Sequence, residues 1–222
     1  MIVPNKLYYL RMPKHGQGTL GRWILVISLA TIWSANLSAE ILNFSSSQWQ
    51  QLDFVNQNKI TLNGDKIEMS SDTSASAYFY EFPKPLTKPF RLSWEWRVNK
   101  HLPVGDPLEK RNDDYAARVY VVFQQGFFKW QVNSVNYVWA SKAYSRTFWL
   151  SPYDKRSAIL PRVNSAEVDT WFSEQAFPFA DFPNLFDQRG RKVIGIAIMS
   201  DTDDTATSVT STFRNIEVDA TQ

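Results

Sequence analysis

Asn112-Asp113-Asp114-Tyr115-Ala116-Ala117-Arg118-Val119-Tyr120-Val121-Val122-Phe123 decides the fold class of this chain. An acidic pair runs straight into a strongly β-forming segment that holds one cation, Arg118, among apolar neighbours. Successive side chains of a strand point to opposite faces. Tyr115, Ala117, Val119, Val121 and Phe123 are therefore expected on one face, and Ala116, Arg118, Tyr120 and Val122 on the other. A charge inside such a pattern is costly unless it is paired. The segment reads as a core strand with a polar site on one face, Arg118 being buried against a carboxylate from Glu95, Asp113, Asp114 or Asp201.

The flanking sequence repeats the same grammar. Short strand-like runs recur, separated by Pro, Asn, Asp and Gly, which favours a sandwich or barrel over alternating strand–helix units. Lys59–Leu62 and Lys66–Met69 flank Asn63-Gly64-Asp65, a hairpin signal. Ala77–Phe82 alternates and is expected to end at Pro83 and Pro85. In Phe90–Val98, Leu92, Trp94, Trp96 and Val98 share one face, and Arg91, Ser93, Glu95 and Arg97 the other. Further strands are expected over 135–139, 158–163, 193–199 and 211–218. Ile194–Met199 is apolar on both faces, as a central strand requires. Residues 180–186 suit a helical turn or a loop, and no long amphipathic helix is legible. The expectation is an all-β chain forming a single jelly-roll-like β-sandwich over residues 40–222.

Residues 1–39 read differently. Lys6, Arg11, Lys14 and Arg22 form a basic leader without acidic residues, and the apolar run Trp23–Trp33 and a short polar stretch ending at Ala39 follow. This is the order of a secretory signal cleaved after Ala39. The run is short against the roughly 20 residues that span a bilayer. An uncleaved anchor is the alternative. The expected location is periplasmic or secreted, with no stable membrane span after cleavage.

The leader also biases the charge. The whole chain has 24 basic and 22 acidic residues. With 4 basic residues in the leader, the remainder has 20 basic against 22 acidic, a net charge of −2. No basic run remains to track phosphates, which argues against nucleic acid as a partner. There is no cysteine, so thiolate metal sites are excluded and the core must hold the domain. His101 is the one histidine outside the leader, too few for a multi-histidine metal site, and a serine triad would have to rest on it alone. No Gly-x-Ser-x-Gly elbow, phosphate-binding glycine loop or His-Glu-x-x-His motif is present.

Three groups of residues could carry chemistry. Asp106, Asp113 and Asp114 form one acidic cluster, and Asp201-Thr202-Asp203-Asp204 another, both where strands meet loops. Convergent carboxylates can bind Ca²⁺, although neither cluster matches a twelve-residue EF-hand loop. Turn chemistry and ion pairing are the favoured reading, and no cofactor is expected. The second group is Glu95, Arg97, Arg118 and Tyr120, as a ligand face or a structural ion pair. The third is a set of aromatics in loop-like sequence, Phe127, Phe128, Trp130, Tyr144, Trp149, Tyr153 and Trp171, which serve either as satellite core or as stacking platforms.

These motifs resemble a bacterial family, domain of unknown function 3047. The likeness rests on Leu92-Ser93-Trp94-Glu95-Trp96-Arg97-Val98, on Asp113–Phe123 and on Ile196-Ala197-Ile198-Met199-Ser200-Asp201-Thr202-Asp203. Weaker similarity lies at Tyr137–Trp139 and Phe213–Ile216. The resemblance implies an exported single-domain β-sandwich and carries over no catalytic residue. Asn112 stands where the family tends to have Gly, and a Val-Glu-Ser-Gly-like run is absent near Ala158–Pro161.

The combined expectation is a non-catalytic module binding a glycan or other polar small molecule. Its ligand-binding residues would be Glu95, Arg97, Asp113, Asp114, Arg118, Tyr120, Asp201 and Asp203. A glycoside hydrolase or polysaccharide lyase using Asp113, Asp114 or Glu95 with Arg118 is one alternative. An envelope assembly protein that presents its aromatics as an interface is another.

Overall fold

In the computed structural model, the described residues are 39–103, 105–126, 131–163, 167–182, 186 and 192–220. Residues 1–38 of the expected leader and three of the loop aromatics, Phe127, Phe128 and Trp130, lie outside them. Thirteen strands are present among the described residues: β1 (Glu40–Ile41), β2 (Trp49–Val55), β3 (Lys59–Asn63), β4 (Lys66–Asp72), β5 (Ala75–Leu86), β6 (Arg91–Val98), β7 (Arg118–Gln124), β8 (Val132–Trp139), β9 (Trp149–Leu150), β10 (Ser157–Val163), β11 (Phe172–Ala176), β12 (Lys192–Asp201) and β13 (Ser208–Asp219). A helical turn, α1 (Pro178–Asp181), overlaps the start of the expected 180–186 turn or loop, of which 183–185 lie outside the described residues, and a 3-10 turn spans Lys110–Asn112. No helix among the described residues is long and apolar enough to cross a membrane.

The strands form two sheets. Sheet I has the order β11-β6-β13-β4-β3, with β1 pairing to β13 beyond the end of β4. Sheet II has the order β2-β5-β12-β7-β8-β10-β9. All pairings are antiparallel except β8 with β10. This is the expected all-β sandwich.

Period-two patterning builds the interior. Leu92, Trp94, Trp96 and Val98 of β6 are fully buried and face sheet II, from which Val119, Val121 and Phe123 of β7, Val135, Tyr137 and Trp139 of β8, and Ile196 and Ile198 of β12 return the contact. Trp96 is the aromatic hub. Its ring centroid lies 5.4 Å from Trp94, 5.8 Å from Trp139 and 6.5 Å from Phe213. The alternate residues face outward, so each sheet carries its own second face.

Local departures have physical causes. The hairpin forms as expected, but its two-residue loop is Gly64-Asp65, with Asn63 paired to Lys66 and Gly64 at φ 64°. β5 does not stop at Pro83 and Pro85 but continues to Leu86. Proline is tolerated there because β2 leaves β5 at Tyr80, so one edge of residues 82–86 needs no ladder donors. The β12 side is irregular over the same stretch, with a register shift between Val193 and Gly195. A Cβ at Gly195 would collide with the Tyr80 carbonyl and the Phe79 ring, so close strand approach requires glycine. A second bulge lies between Arg214 and Glu217, with Asn215 at φ 51°. It lets both Phe213 and Ile216 point inward.

Candidate ligand-binding site

The stretch Asn112–Phe123 becomes a strand only at Arg118. Tyr115, Ala116 and Ala117 precede it as an irregular stretch. Alternation fails there: Ala116 and Ala117 both enter the core, while Tyr115 packs on the other side of sheet II with Val138, Trp149 and Ile159. Its ring lies under the Arg118 guanidinium, 4.5 Å from the ring centroid.

Arg118 is buried and fully engaged. Its Nε donates to Asp201 Oδ1 at 2.9 Å, and its Nη2 donates to Asp201 Oδ2 and to the Asp113 carbonyl. The Asp113 carboxylate is 4.0 Å from Nη2 and accepts from Ser151 Oγ at 3.2 Å. Asp201 also accepts the Tyr115 backbone N–H at 3.0 Å. Asp114 accepts from Asp204 N at 3.2 Å, Thr205 N at 2.7 Å and Thr205 Oγ1 at 2.6 Å. It therefore ties the stretch before β7 to the loop after β12. Tyr153 donates its hydroxyl to Asp204 and lies beneath Lys110.

The two acidic clusters thus meet, because β7 and β12 are antiparallel neighbours and Arg118 pairs near Met199. Asp106 does not join them; it is exposed and caps its own turn through Leu108 N. Glu95 and Arg97 lie elsewhere too. They face outward from sheet I, on the opposite side of the sandwich from Arg118 and Tyr120. There Glu95 accepts from Arg214 at 2.7 Å and from Asn215 at 2.9 Å. Arg97 and Arg214 lie over the Trp171 ring, 5.2 and 4.0 Å from its centroid. Alternation assigns a residue to a face but cannot assign its strand to a sheet, so the four-residue constellation separates into two pairs.

Above the outer face of sheet II lies an open groove of about 570 Å³. Its floor is Ala75, Ala77 and Ala197, with Met199, Phe79 and Tyr120 beside them. One wall is Leu52, Phe54 and Val55 of β2, all exposed. The opposite side and one end hold Ser151, Tyr153, Asp154 and the Asp113–Arg118–Asp201 group, with Asp203 and Asp204. Small floor residues make the depth, since each alanine leaves space that a larger side chain would fill. A buried network braces this end from below. Asn58 Nδ2 donates to the Ser200 carbonyl at 2.8 Å, Ser74 Oγ donates to Asn58 Oδ1 at 2.6 Å, and the Ser71 and Thr202 hydroxyls lie 2.9 Å apart.

A family model described as protein of unknown function (DUF3047) matches residues 47–217. The chain belongs to DUF3047. Comparison with curated proteins returns no match. Among solved structures, this DUF3047 chain is similar to a family 29 carbohydrate-binding module from Piromyces equi, at 8% identity over 79% of this chain and 82% of that one, with a TM-score of 0.39. A variant of another family 29 module, complexed with cellulohexaose, matches at 9% identity over 84% and 94%, with a TM-score of 0.42. A glycoside hydrolase domain of Endo-D from Streptococcus pneumoniae R6 matches at 9% identity over 78% of this chain and 22% of that one, with a TM-score of 0.38.

Electrostatically, the acidic end of the DUF3047 groove is overloaded. Burial is the largest influence on Asp201 and pushes its carboxyl up to about 7, with Arg118 pulling the other way and Asp114 and Asp113 adding repulsion. Burial likewise raises Asp113, Asp203 and Asp204, and takes the Tyr120 hydroxyl up to about 12 against the pull of Arg118. Burial works against the charge on Arg118, but Asp201, Tyr120 and Asp113 hold it well above its usual range. Carboxyls raised in this way bind protons in the folded state that the unfolded chain has already released. Between about pH 4 and pH 7 their contribution to stability therefore falls as pH rises. The melting temperature at constant ionic strength is expected to be higher at pH 5.5 than at pH 8, and Asp203→Asn is expected to flatten the difference. A profile that rises towards pH 8 would count against this.

One oxygen from each of Asp114, Asp201 and Asp203 lies within 4.8 Å of the others. The donor set nevertheless suits Ca²⁺ poorly. Both oxygens of Asp114 and both of Asp201 already accept strong hydrogen bonds, whereas Ca²⁺ needs 6–8 available oxygens.

Ser151, Thr205, Leu52, Phe54 and Met199 join the site although no local sequence pattern marks them for it. Tyr153 joins it from loop-like sequence. Of the other loop aromatics, Trp149 is buried and Tyr144 packs against it at 4.9 Å, so both are satellite core.

Proposed function

We propose that this protein is an exported, non-catalytic binding module that takes a glycan in the groove of sheet II. The observation behind the reading is the groove's two-sided chemistry. A pyranose ring offers an apolar C–H face and a rim of hydroxyls. Exposed Phe54 and Leu52 on one wall and Tyr153 across the floor offer apolar and stacking contacts. Ser151, Asp113, Asp154 and Asp203 on the other side offer polar atoms to hydroxyls.

Cleavage fits the geometry less well. A glycosidase sets two carboxyls on either side of the scissile bond, about 5–5.5 Å apart when retaining and about 6.5–9.5 Å apart when inverting. The carboxylates lining this groove come from the stretch before β7, the loop after β9 and the end of β12, and the β2 wall supplies none. Asp53, the acid within β2, is turned to Ser76 and Gln51. A binding role also matches the thorough use of Asp114 and Asp201 as structural acceptors, whose oxygens are engaged within the protein.

Affinity electrophoresis against a panel of soluble neutral and charged polysaccharides tests the reading. At least one polymer should retard the wild-type protein. Phe54→Ala and Tyr153→Ala should each weaken retardation about three- to tenfold, the worth of one aromatic contact, with little change in melting temperature. Migration unaffected by every polymer would overturn the proposal.

A further inference from the structure

We infer that the ligand of this groove carries a protonated amine, held at the acidic end by Asp113 and Asp203. The inference rests on the reading that the groove binds a glycan, and it narrows that glycan to one with free amino groups.

The first support is a buried acceptor without a donor. Asp113 is 5% exposed and lines the groove, yet its Oδ1 finds no donor among the described residues. Its neighbours are committed elsewhere: Ser151 Oγ goes to Oδ2, and Arg118 is spent on Asp201 and on the Asp113 carbonyl. A buried carboxylate oxygen without a donor is costly, and a ligand donor would relieve that cost. Asp203 also lines the groove and takes no hydrogen bond from another described residue.

The second support is charge complementarity. Asp113, Asp114, Asp201, Asp203 and Asp204 gather around one buried guanidinium. The nearby cations are already engaged, with Arg156 paired to Asp154 at 2.8 Å and Lys110 over the Tyr153 ring. A uronic acid, sulfate or phosphate would meet repulsion here. A neutral sugar would relieve the open acceptors but leave the excess charge. An ammonium answers both, with three donors and a positive charge. The apolar floor and the β2 wall then take the rest of the ring.

Calorimetric titration of the full chain with three probes tests this: a β-1,4-glucosamine hexamer, its fully N-acetylated counterpart and n-octylammonium, at a pH where the amines are protonated. The free-amine hexamer is expected to bind about ten- to a hundredfold tighter than the acetylated one, the worth of hydrogen bonds to a charged group, and this margin should shrink as salt is raised. Asp203→Asn and Asp113→Asn should each erase most of the margin, weakening the free-amine hexamer far more than the acetylated one. Asp203 is half-buried, so its variant keeps the test valid should the Asp113 variant fail to fold. Equal binding of the two hexamers would leave the glycan reading standing and overturn the amine. Binding of octylammonium with neither hexamer would support the amine site and overturn the glycan reading. No binding by any probe would overturn the amine, and the glycan reading would then stand or fall on the polysaccharide panel.

Discussion

Arg118→Ala is expected to cost the fold about 3–5 kcal/mol, the usual loss when one partner of a buried ion pair is removed. The loss comes from what stays behind. Asp201 is buried and keeps only the Tyr115 amide and a crowd of like charges. The Asp113 carbonyl loses its donor, and the Tyr115 ring loses the cation above it. Roughly 2–4 °C of melting temperature per kcal/mol applies to a domain of this size, so a fall on the order of 10 °C or more should be seen by circular dichroism. The loss should be smaller at pH 5 than at pH 8, because Asp201 can then neutralise by taking a proton. Arg118→Lys should recover little, since one ammonium cannot reproduce the fork that holds both Asp201 oxygens. An alanine variant that melts with the wild type would show that Asp201 is not left uncompensated.

Trp96→Ala is expected to be comparably damaging, about 3–5 kcal/mol. Trp96 is fully buried and joins Trp94, Trp139 and Phe213 across both sheets, so truncation leaves a void that neither sheet can close by itself. Trp96→Phe should be much milder. The Trp96 indole N–H has no acceptor among the described residues, so phenylalanine gives up packing area and removes a buried donor that gains nothing. Urea unfolding of both variants separates the contributions of volume and of hydrogen bonding.

These two residues mark what was legible in the sequence. The β6 pattern named its core face without error, because a two-residue period with alternating Trp and charge leaves one assignment. Arg118 announced a buried pair for a similar reason: a lone cation in an apolar strand needs a partner, and the Asp after the two-faced strand 193–199 supplies it. Other features were not legible from local pattern. β2 has most of its residues exposed, so Leu52 and Phe54 look like surface until the groove is seen. β11 is a short edge strand with little burial. Pro83 and Pro85 signal termination, and only the vacant edge beside them explains why β5 continues. Glu95 and Arg118 look like neighbours in one charged face, yet pairing with β13 places one strand in sheet I and pairing with β12 places the other in sheet II.

The positions of β12 and β13 have a kinetic consequence. β12 lies between β5 and β7, and β13 lies between β6 and β4, so an interior place in each sheet is filled by one of these two late strands. Until residues 192–219 are present, β5 and β7 cannot be joined, nor β6 and β4. The sequence separations in these pairings are long, with Ser200 opposite Ser76 and Thr210 opposite Ser70. High contact order slows folding to the millisecond-to-second range. Slow, late closure leaves a growing chain as unjoined hairpins until residues 192–219 have emerged. Such a chain stays open to threading through a translocation pore for as long as it is being made, which is the state that the proposed export route needs.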